Sequence, residues 1–366
     1  MLKQRELRAI CDKFIMYGDF MVGVPFGSGH INDTYQITCD QGGIRVHYIL
    51  QRINPNVFIN PHKVMENVDR VTAHLLEKFR ISNRNLKRRT LRLLRTYTNL
   101  PYVFDENGDC YRAYVFVENA RSYDVLEGEE MAFSVARAFG EFQCDLIDLP
   151  GPRLHETIPD FHNTPRRLEA LIAASKADAC GRLKDVSAEL DFVIKRSDDV
   201  SALVRLNSDG DMPERITHND TKVNNLLIDD FSGEGICVLD LDTVMPGLCL
   251  YDFGDMVRTG TNTAEEDEVN LGKVEMSFPM FEAILRGYLS SAGGFLTPAE
   301  RENLPFSGKL ITLEVGIRFL TDYLNGDKYF KTRRPTHNLE RARNQFKLVE
   351  CIEQQMDRMM FLVKSV

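Results

Sequence analysis

Residues 226–241, LLIDDFSGEGICVLDL, are the one strongly strand-like block in a chain that otherwise reads as helical from about residue 119 onward. Two short apolar runs, LLID and ICVLD, flank DFSGEG, a turn of Asp, Ser and Gly, so the block reads as a β-hairpin. Residues equidistant from a hairpin turn lie opposite each other. Asp240, where the second strand ends, therefore returns beside Asn225, where the first begins. The octet leading in, HNDTKVNN (218–225), brings Asp220 and Lys222 to the same point.

The chain ahead of this block has a different character. Residues 2–17 read as a helix. MVGVPFGSGHINDTYQIT reads as strand, glycine turn and strand, closed by CDQGG, and IRVHYILQRI (44–53) as a third strand. Residues 62–80 are helical, with Val64, Val68, Val71 and Leu75 on one face. LRLLRTYTN, the turn DENGD and CYRAYVFVE add two or three strands. Beyond residue 119, helical periods cover 124–147, 164–178, 181–197, 272–292, 309–325 and 337–365. A chain of 366 residues exceeds the roughly 250–300 residues at which single cores stop growing. The expectation is an α+β, two-lobed fold. A small antiparallel-sheet lobe spans 1–118, a larger, mainly helical lobe spans 119–366, and a ligand cleft lies between them.

Charge and cysteine usage narrow the function classes. The net charge of −9 argues against a nucleic-acid binder, though a local site can still hold an anion. None of the eight cysteines falls in a C-x-x-C spacing, which disfavours zinc and a disulfide framework and fits a reducing cytoplasm. MLKQRELRAICDKF lacks the apolar core of a secretory signal, and no run is apolar enough to span a membrane.

Asp220, Lys222, Asn225 and Asp240 are the residue types phosphoryl transfer needs. One aspartate orients and deprotonates the attacking hydroxyl, an asparagine and a second aspartate hold Mg2+ against nucleotide phosphates, and a lysine offsets charge on the transferred group. Asp252-Phe253-Gly254 spells DFG, a known metal motif. Yet Asp240, at the hairpin end, is better placed to hold a metal. Asp252 is expected to brace the catalytic loop, with a substrate role for it or Asp255 as the alternative. Whether Asp242 assists the metal stays open.

H-x-D-x-x-x-x-N resembles the catalytic loop of kinase-fold enzymes, including protein kinases and the aminoglycoside phosphotransferase group. GSGHINDTY, YILQRIN, MENVDRVT, PDFHNTPRR, HNDTKVNN, LDLDTVMPGL and YDFGDMVRTGTN, in order from about residue 23 to 330, look like the N-acetylhexosamine 1-kinases. This resemblance implies ATP- and Mg2+-dependent phosphorylation of the anomeric hydroxyl of N-acetylglucosamine or N-acetylgalactosamine. It also implies that Gly27, Ser28 and Gly29 approach the phosphates through backbone N–H groups, although a plain glycine-bearing β-turn accounts for FGSG too. The third strand lacks the usual lysine. Arg52 is the available cation, with Glu66 as its partner if it is not simply a surface arginine. Backbone groups from Val117 to Asn119 should meet adenine. His30, Asn32 and Arg318 are the sugar-contact candidates, with Arg258 as an alternative; His162 reads as a loop-packing residue. The competing readings are a kinase for choline, homoserine or an aminoglycoside, and a catalytically silent binding protein of the same fold.

Overall fold

The computed structural model describes residues 2–27, 31–82 and 88–366. Helix α1 (Gln4–Cys11) precedes strands β1 (Asp19–Pro25), β2 (Asp33–Gln41) and β3 (Ile44–Arg52). Helix α2 (Pro61–Ile81) starts on Asn60, whose side chain accepts from the Lys63 N–H, with proline in the first turn. Strands β4 (Val103–Phe104) and β5 (Cys110–Val115) complete an antiparallel sheet of order β1-β2-β3-β5-β4. Then come β6 (Ala120–Arg121), α3 (Glu129–Leu146), α4 (Thr164–Ala177), α5 (Ser187–Ile194), α6 (Ala202–Ser208) and β7 (Arg215–Thr217). The hairpin is β8 (Leu226–Asp229) and β9 (Gly235–Val238), followed by β10 (Met245–Gly247). Helices α7 (Cys249–Thr261), α8 (Phe278–Ala292), α9 (Pro298–Glu302), α10 (Leu304–Leu324) and α11 (His337–Ser365) finish the chain. The fold is α+β, an antiparallel-sheet N-terminal lobe followed by a helical C-terminal part, as expected.

Strand alternation decides what the sheet shows to each side. Tyr35, Ile37 and Cys39 of β2, Tyr48 and Leu50 of β3, and Tyr111 and Ala113 of β5 pack under α1 on Leu7, Ile10, Cys11 and Phe14. The intervening residues Gln51 and Arg112 point the other way, toward α2 and the helical part, where Arg112 Nη1 lies 3.9 Å from Met65 Sδ. Val64, Val68, Val71 and Leu75 of α2 are buried, as the spacing predicts. Such side chains contribute roughly 1.5–3 kcal/mol each, whereas an exposed pair such as Arg80–Glu77 is screened by water and adds little. The apolar face therefore holds α2 in place.

Several elements differ from the sequence reading. The helix expected over 2–17 ends at Cys11. LRLLRTYTN forms isolated bridges rather than a strand, because its backbone groups divide between two partners: Leu94 N–H bonds Ala113 O at 2.8 Å and Arg95 O takes Ile15 N–H at 2.8 Å. The helix expected over 181–197 is split by Val186 into a 3-10 turn and α5. Helix α7 is absent from the sequence reading. It is buried nearly all round, so it has no polar stripe to reveal its period.

Helices α3 and α8 approach most closely at two glycines. A Cβ on Gly287 would lie 2.2 Å from Phe133 O, and one on Gly140 would lie 2.3 Å from Ser291 Oγ. Phe133 O is backbone and cannot swing aside. Gly287→Ala is therefore expected to destabilise the protein by about 1–3 kcal/mol, read as a lower urea midpoint; an unchanged midpoint would show that the helices are not in this contact.

Candidate active site

The octet emerges from β7, which pairs antiparallel with β10, Thr217 opposite Met245. His218 is fully buried, and its Nε2 donates to Leu239 O at 2.7 Å. That fixes the tautomer, so Nδ1 accepts the Asp220 N–H at 3.3 Å. Beneath the loop lies Asp252, in the first turn of α7 and fully buried. Its carboxylate accepts the backbone N–H of His218 at 2.9 Å, that of Asn219 at 2.6 Å and Gln143 Nε2 at 2.7 Å. Its carbonyl accepts Thr221 Oγ1 at 2.6 Å. The DFG aspartate thus braces the loop, and its oxygens are spent on that task.

His162 grips the loop from the opposite side. Its Nε2 donates to Asn219 O at 2.9 Å, and its Nδ1 meets Glu314 Oε1 of α10 at 2.7 Å. Asn219 takes a left-handed φ of 66° and spans to Thr243 O through Nδ2 at 2.8 Å. So constrained, the loop delivers Asp220 in one orientation.

Asp220, Asn225, Lys222 and the hairpin end come together. Leu226 pairs with Val238, and Leu239 N–H donates to Asn225 O at 2.8 Å, so Asp240 emerges directly beside Asn225. Asn225 Nδ2 donates to Asp220 O at 2.8 Å and to its Oδ2 at 3.0 Å. Lys222 Nζ lies 3.0 Å from Asp220 Oδ1, with both side chains partly open to solvent. Burial disfavours the Asp220 carboxylate, but the Lys222 ammonium prevails and holds its pKa down to about 2.

The donor set fits Mg2+, which takes hard oxygens and needs only one or two protein carboxylates beside phosphates and water. With Nδ2 spent on Asp220, Asn225 Oδ1 has no donor among the described residues, and the Asp240 carboxylate accepts none there either. Burial first, then the charges of Asp242 and Asp220, push Asp240 up to about 6. Such crowded acidic oxygens favour a dication. Among the described residues no group of three or more His, Cys, Asp or Glu could hold a metal, and a carboxylate-plus-amide site does not require one.

Other candidates are placed differently from the sequence reading. Arg52 pairs with Asp33 (2.6 Å) and Asp109 (3.1 Å) at the sheet margin, and Glu66 bonds His155 Nε2 at 2.8 Å, so they are not partners. Asn32 is consumed at both ends: Nδ2 donates to Asp242 Oδ2 at 2.7 Å, and Oδ1 accepts the Asn54 N–H at 3.0 Å. Arg258 is buried in pairs with Asp255 (2.8 Å) and Glu266 (3.0 Å), so it is not a free contact, whereas Asp255 Oδ2 is buried with no partner among the described residues. Asn119 O already accepts from Asp230 N–H at 3.1 Å and Arg88 Nη2 at 2.5 Å. Val117 is buried, and its backbone amide and carbonyl have no partner among the described residues. Gly27 takes φ +80° in open space. Ser28, Gly29 and His30 lie outside the described residues.

Arg318 has no carboxylate within ion-pair distance among the described residues. Its guanidinium carbon lies 4.8 Å from the Phe161 ring centroid, 5.7 Å from Phe330 and 6.0 Å from Tyr329. The sequence reading missed Arg112, the buried partner of Asp242. Its only signal was one arginine inside the apolar run CYRAYVFV.

Asp252→Ala is expected to leave two buried loop N–H groups unpaired at about 1–3 kcal/mol each. Asp252→Asn keeps one acceptor and should lose less. Urea unfolding of the pair measures this, and equal stability of all three proteins would contradict the bracing role.

The residue types gathered here are those phosphoryl transfer uses, and comparison with known proteins points to a phosphotransferase family. Residues 22–284 match the sequence profile of the phosphotransferase enzyme family (APH). Among solved structures, the fold is similar to a microcompartment-associated aminopropanol kinase (14% identity, 98% of each chain, TM-score 0.64). It is also similar to an aminoglycoside phosphotransferase from Alicyclobacillus acidocaldarius subsp. acidocaldarius (13% identity, 100% of this chain and 97% of that one, TM-score 0.60). A third is spectinomycin phosphotransferase in complex with ADP and spectinomycin (12% identity, 100% and 99%, TM-score 0.54). The chain belongs to the phosphotransferase enzyme family.

Proposed function

We propose that this phosphotransferase uses ATP and Mg2+ to phosphorylate the anomeric hydroxyl of an N-acetylhexosamine, giving the sugar 1-phosphate. The observation that carries its phosphoryl-transfer part is the convergence of Asp220, Asn225 and Asp240 on a loop braced from both sides, while the sugar rests on the resemblance of the flanking segments. In this reading Asp220 Oδ accepts the proton of the attacking hydroxyl, and Lys222 offsets charge on the transferred group. Asn225 Oδ1 and Asp240 would hold Mg2+, which neutralises charge on the phosphates. Adenine would meet the unpartnered backbone groups of Val117, and phosphates the turn at Gly27. The ADP complex of spectinomycin phosphotransferase supports an adenine nucleotide. The lobe boundary is proposed at residues 118/119.

The acceptor side favours a neutral sugar. Arg318 lies one helical turn from Glu314, whose partner His162 touches the catalytic loop. It leaves its donors free beside Phe161 and Tyr329, which form a flat apolar wall. Arg167 is close by: burial, then the Arg318 charge, pulls its pKa down. Two neighbouring guanidiniums repel an ammonium group, which weighs against choline, aminopropanol or an aminoglycoside as acceptor.

Incubation with Mg-ATP and a panel of N-acetylglucosamine, N-acetylgalactosamine, choline, homoserine and an aminoglycoside tests the reading. Sugar 1-phosphate is expected from the first two; product from the amines or alcohols alone would refute it. Asp220→Asn should lower kcat by roughly 10²–10⁴-fold with an unchanged melting temperature. Arg318→Ala should raise the sugar KM by about tenfold and leave the KM for ATP unchanged. An unchanged sugar KM would remove Arg318 from the acceptor site.

A further inference from the structure

Arg112 of β5 and Asp242 form an ion pair in which each side chain is 1% exposed. A guanidinium so deeply buried must have its donors satisfied. Nη1 meets Asp242 Oδ1, while Nε and Nη2 share Gln51 Oε1 at 3.1 and 3.0 Å. Gln51 Nε2 in turn donates to Thr34 Oγ1 at 3.0 Å. One guanidinium thus draws together β2, β3 and β5.

Asp242 is committed just as fully. Its second carboxylate oxygen accepts Asn32 Nδ2 at 2.7 Å, and its carbonyl accepts Thr157 Oγ1 at 2.6 Å. Asn32 lies just past the glycine turn and is tied to Asn54 N–H at 3.0 Å. Asp242 sits in the 3-10 turn Leu241–Thr243, and Asp240, immediately before it, is held at a left-handed φ of 50°. A non-glycine residue persists there only when its surroundings over-determine it. The pair therefore joins three things: the sheet, the segment at Asn32 that leads into β2, and the turn that Asp240 precedes.

We propose that Arg112 and Asp242 are a positioning pair that sets Asp240 and the start of β2 at Asn32 to receive a metal–nucleotide, without touching the acceptor. This rests on the nucleotide and metal part of the reading above, not on the identity of the sugar. Each Asp242 carboxylate oxygen already serves a protein donor, so in this proposal Asp240 is the metal carboxylate and Asp242 its support. Arg112 also supplies the buried cation absent from β3 and offsets part of the Asp242 charge that lies beside Asp240.

The test is calorimetric binding of Mg-ADP to the full chain, alongside KM for Mg-ATP and for the acceptor. Arg112→Met is expected to weaken Mg-ADP binding by about a hundredfold or more. Arg112→Lys keeps the charge but not the fork and should recover part of that loss. Asn32→Ala removes only the tether between Asp242 and the start of β2 and should weaken Mg-ADP by about tenfold. In every folded variant the acceptor KM should stay as in the wild type. If Arg112→Met does not fold, Asn32→Ala decides alone: weaker nucleotide binding supports the pair, and unchanged binding overturns it. Folded variants that all bind Mg-ADP like the wild type overturn it, as does an acceptor KM that rises with the nucleotide's. A wild-type chain that binds no Mg-ADP overturns both the pair and the nucleotide site. A chain that binds Mg-ADP in this pattern but phosphorylates no N-acetylhexosamine refutes the acceptor and leaves the pair standing.

Discussion

A single buried carboxylate, that of Asp252, holds the arrangement around Asp220. It accepts the consecutive N–H groups of His218 and Asn219, donors that a sharp loop leaves without strand or helix partners. Burying unpaired backbone N–H groups is costly, so the loop can be tight only because a helix start lies under it. Gln143 of α3 fills the rest of that carboxylate and is itself held by Tyr288 of α8 at 2.6 Å. The close approach of α3 and α8 at Gly287 and Gly140 is thereby connected, through side chains, to the orientation of Asp220.

Three aspartates of the site divide into two roles according to what donates to them. Asp252 and Asp242 have their oxygens filled by protein N–H groups, so they are structural anchors. Asp240, two residues before Asp242, accepts no bond from any described residue. Burial and its like-charged neighbours make it a poor isolated carboxylate, which a dication would relieve. This division between spent and unspent oxygens leaves Asp240 and Asn225 able to take a metal, and the unspent guanidinium of Arg318 is the feature on which the proposed acceptor rests.

How far the molecule was legible depended on the range of the interaction. The hairpin was readable because LLID, a polar turn and ICVLD are contiguous, and counting brings Asp240 to within one residue of its place, since an irregularity at Leu227–Ile228 sets Leu239 opposite Asn225. The same counting about the Gly42–Gly43 turn sets Asp33 opposite Arg52, so the surface fate of Arg52 was available from the sequence. Arg112 was not. Its neighbour Gln51 depends on β5, rather than β4, lying beside β3, and Asp242 reaches it from 130 residues away. Helix α7 was hidden because burial on all sides removes the amphipathic period. Asn32 and Arg258 looked like free polar groups because their partners lie in other segments.

The central claim is that the hairpin end, and not the DFG aspartate, carries the metal. Electron paramagnetic resonance of Mn2+ bound with ADP reads this directly when Asp240→Asn is set beside Asp252→Asn, with melting temperatures confirming that both are folded. The account predicts that Asp240→Asn loses the protein-bound Mn2+ signal and Asp252→Asn retains it. Loss in Asp252→Asn with retention in Asp240→Asn would contradict it.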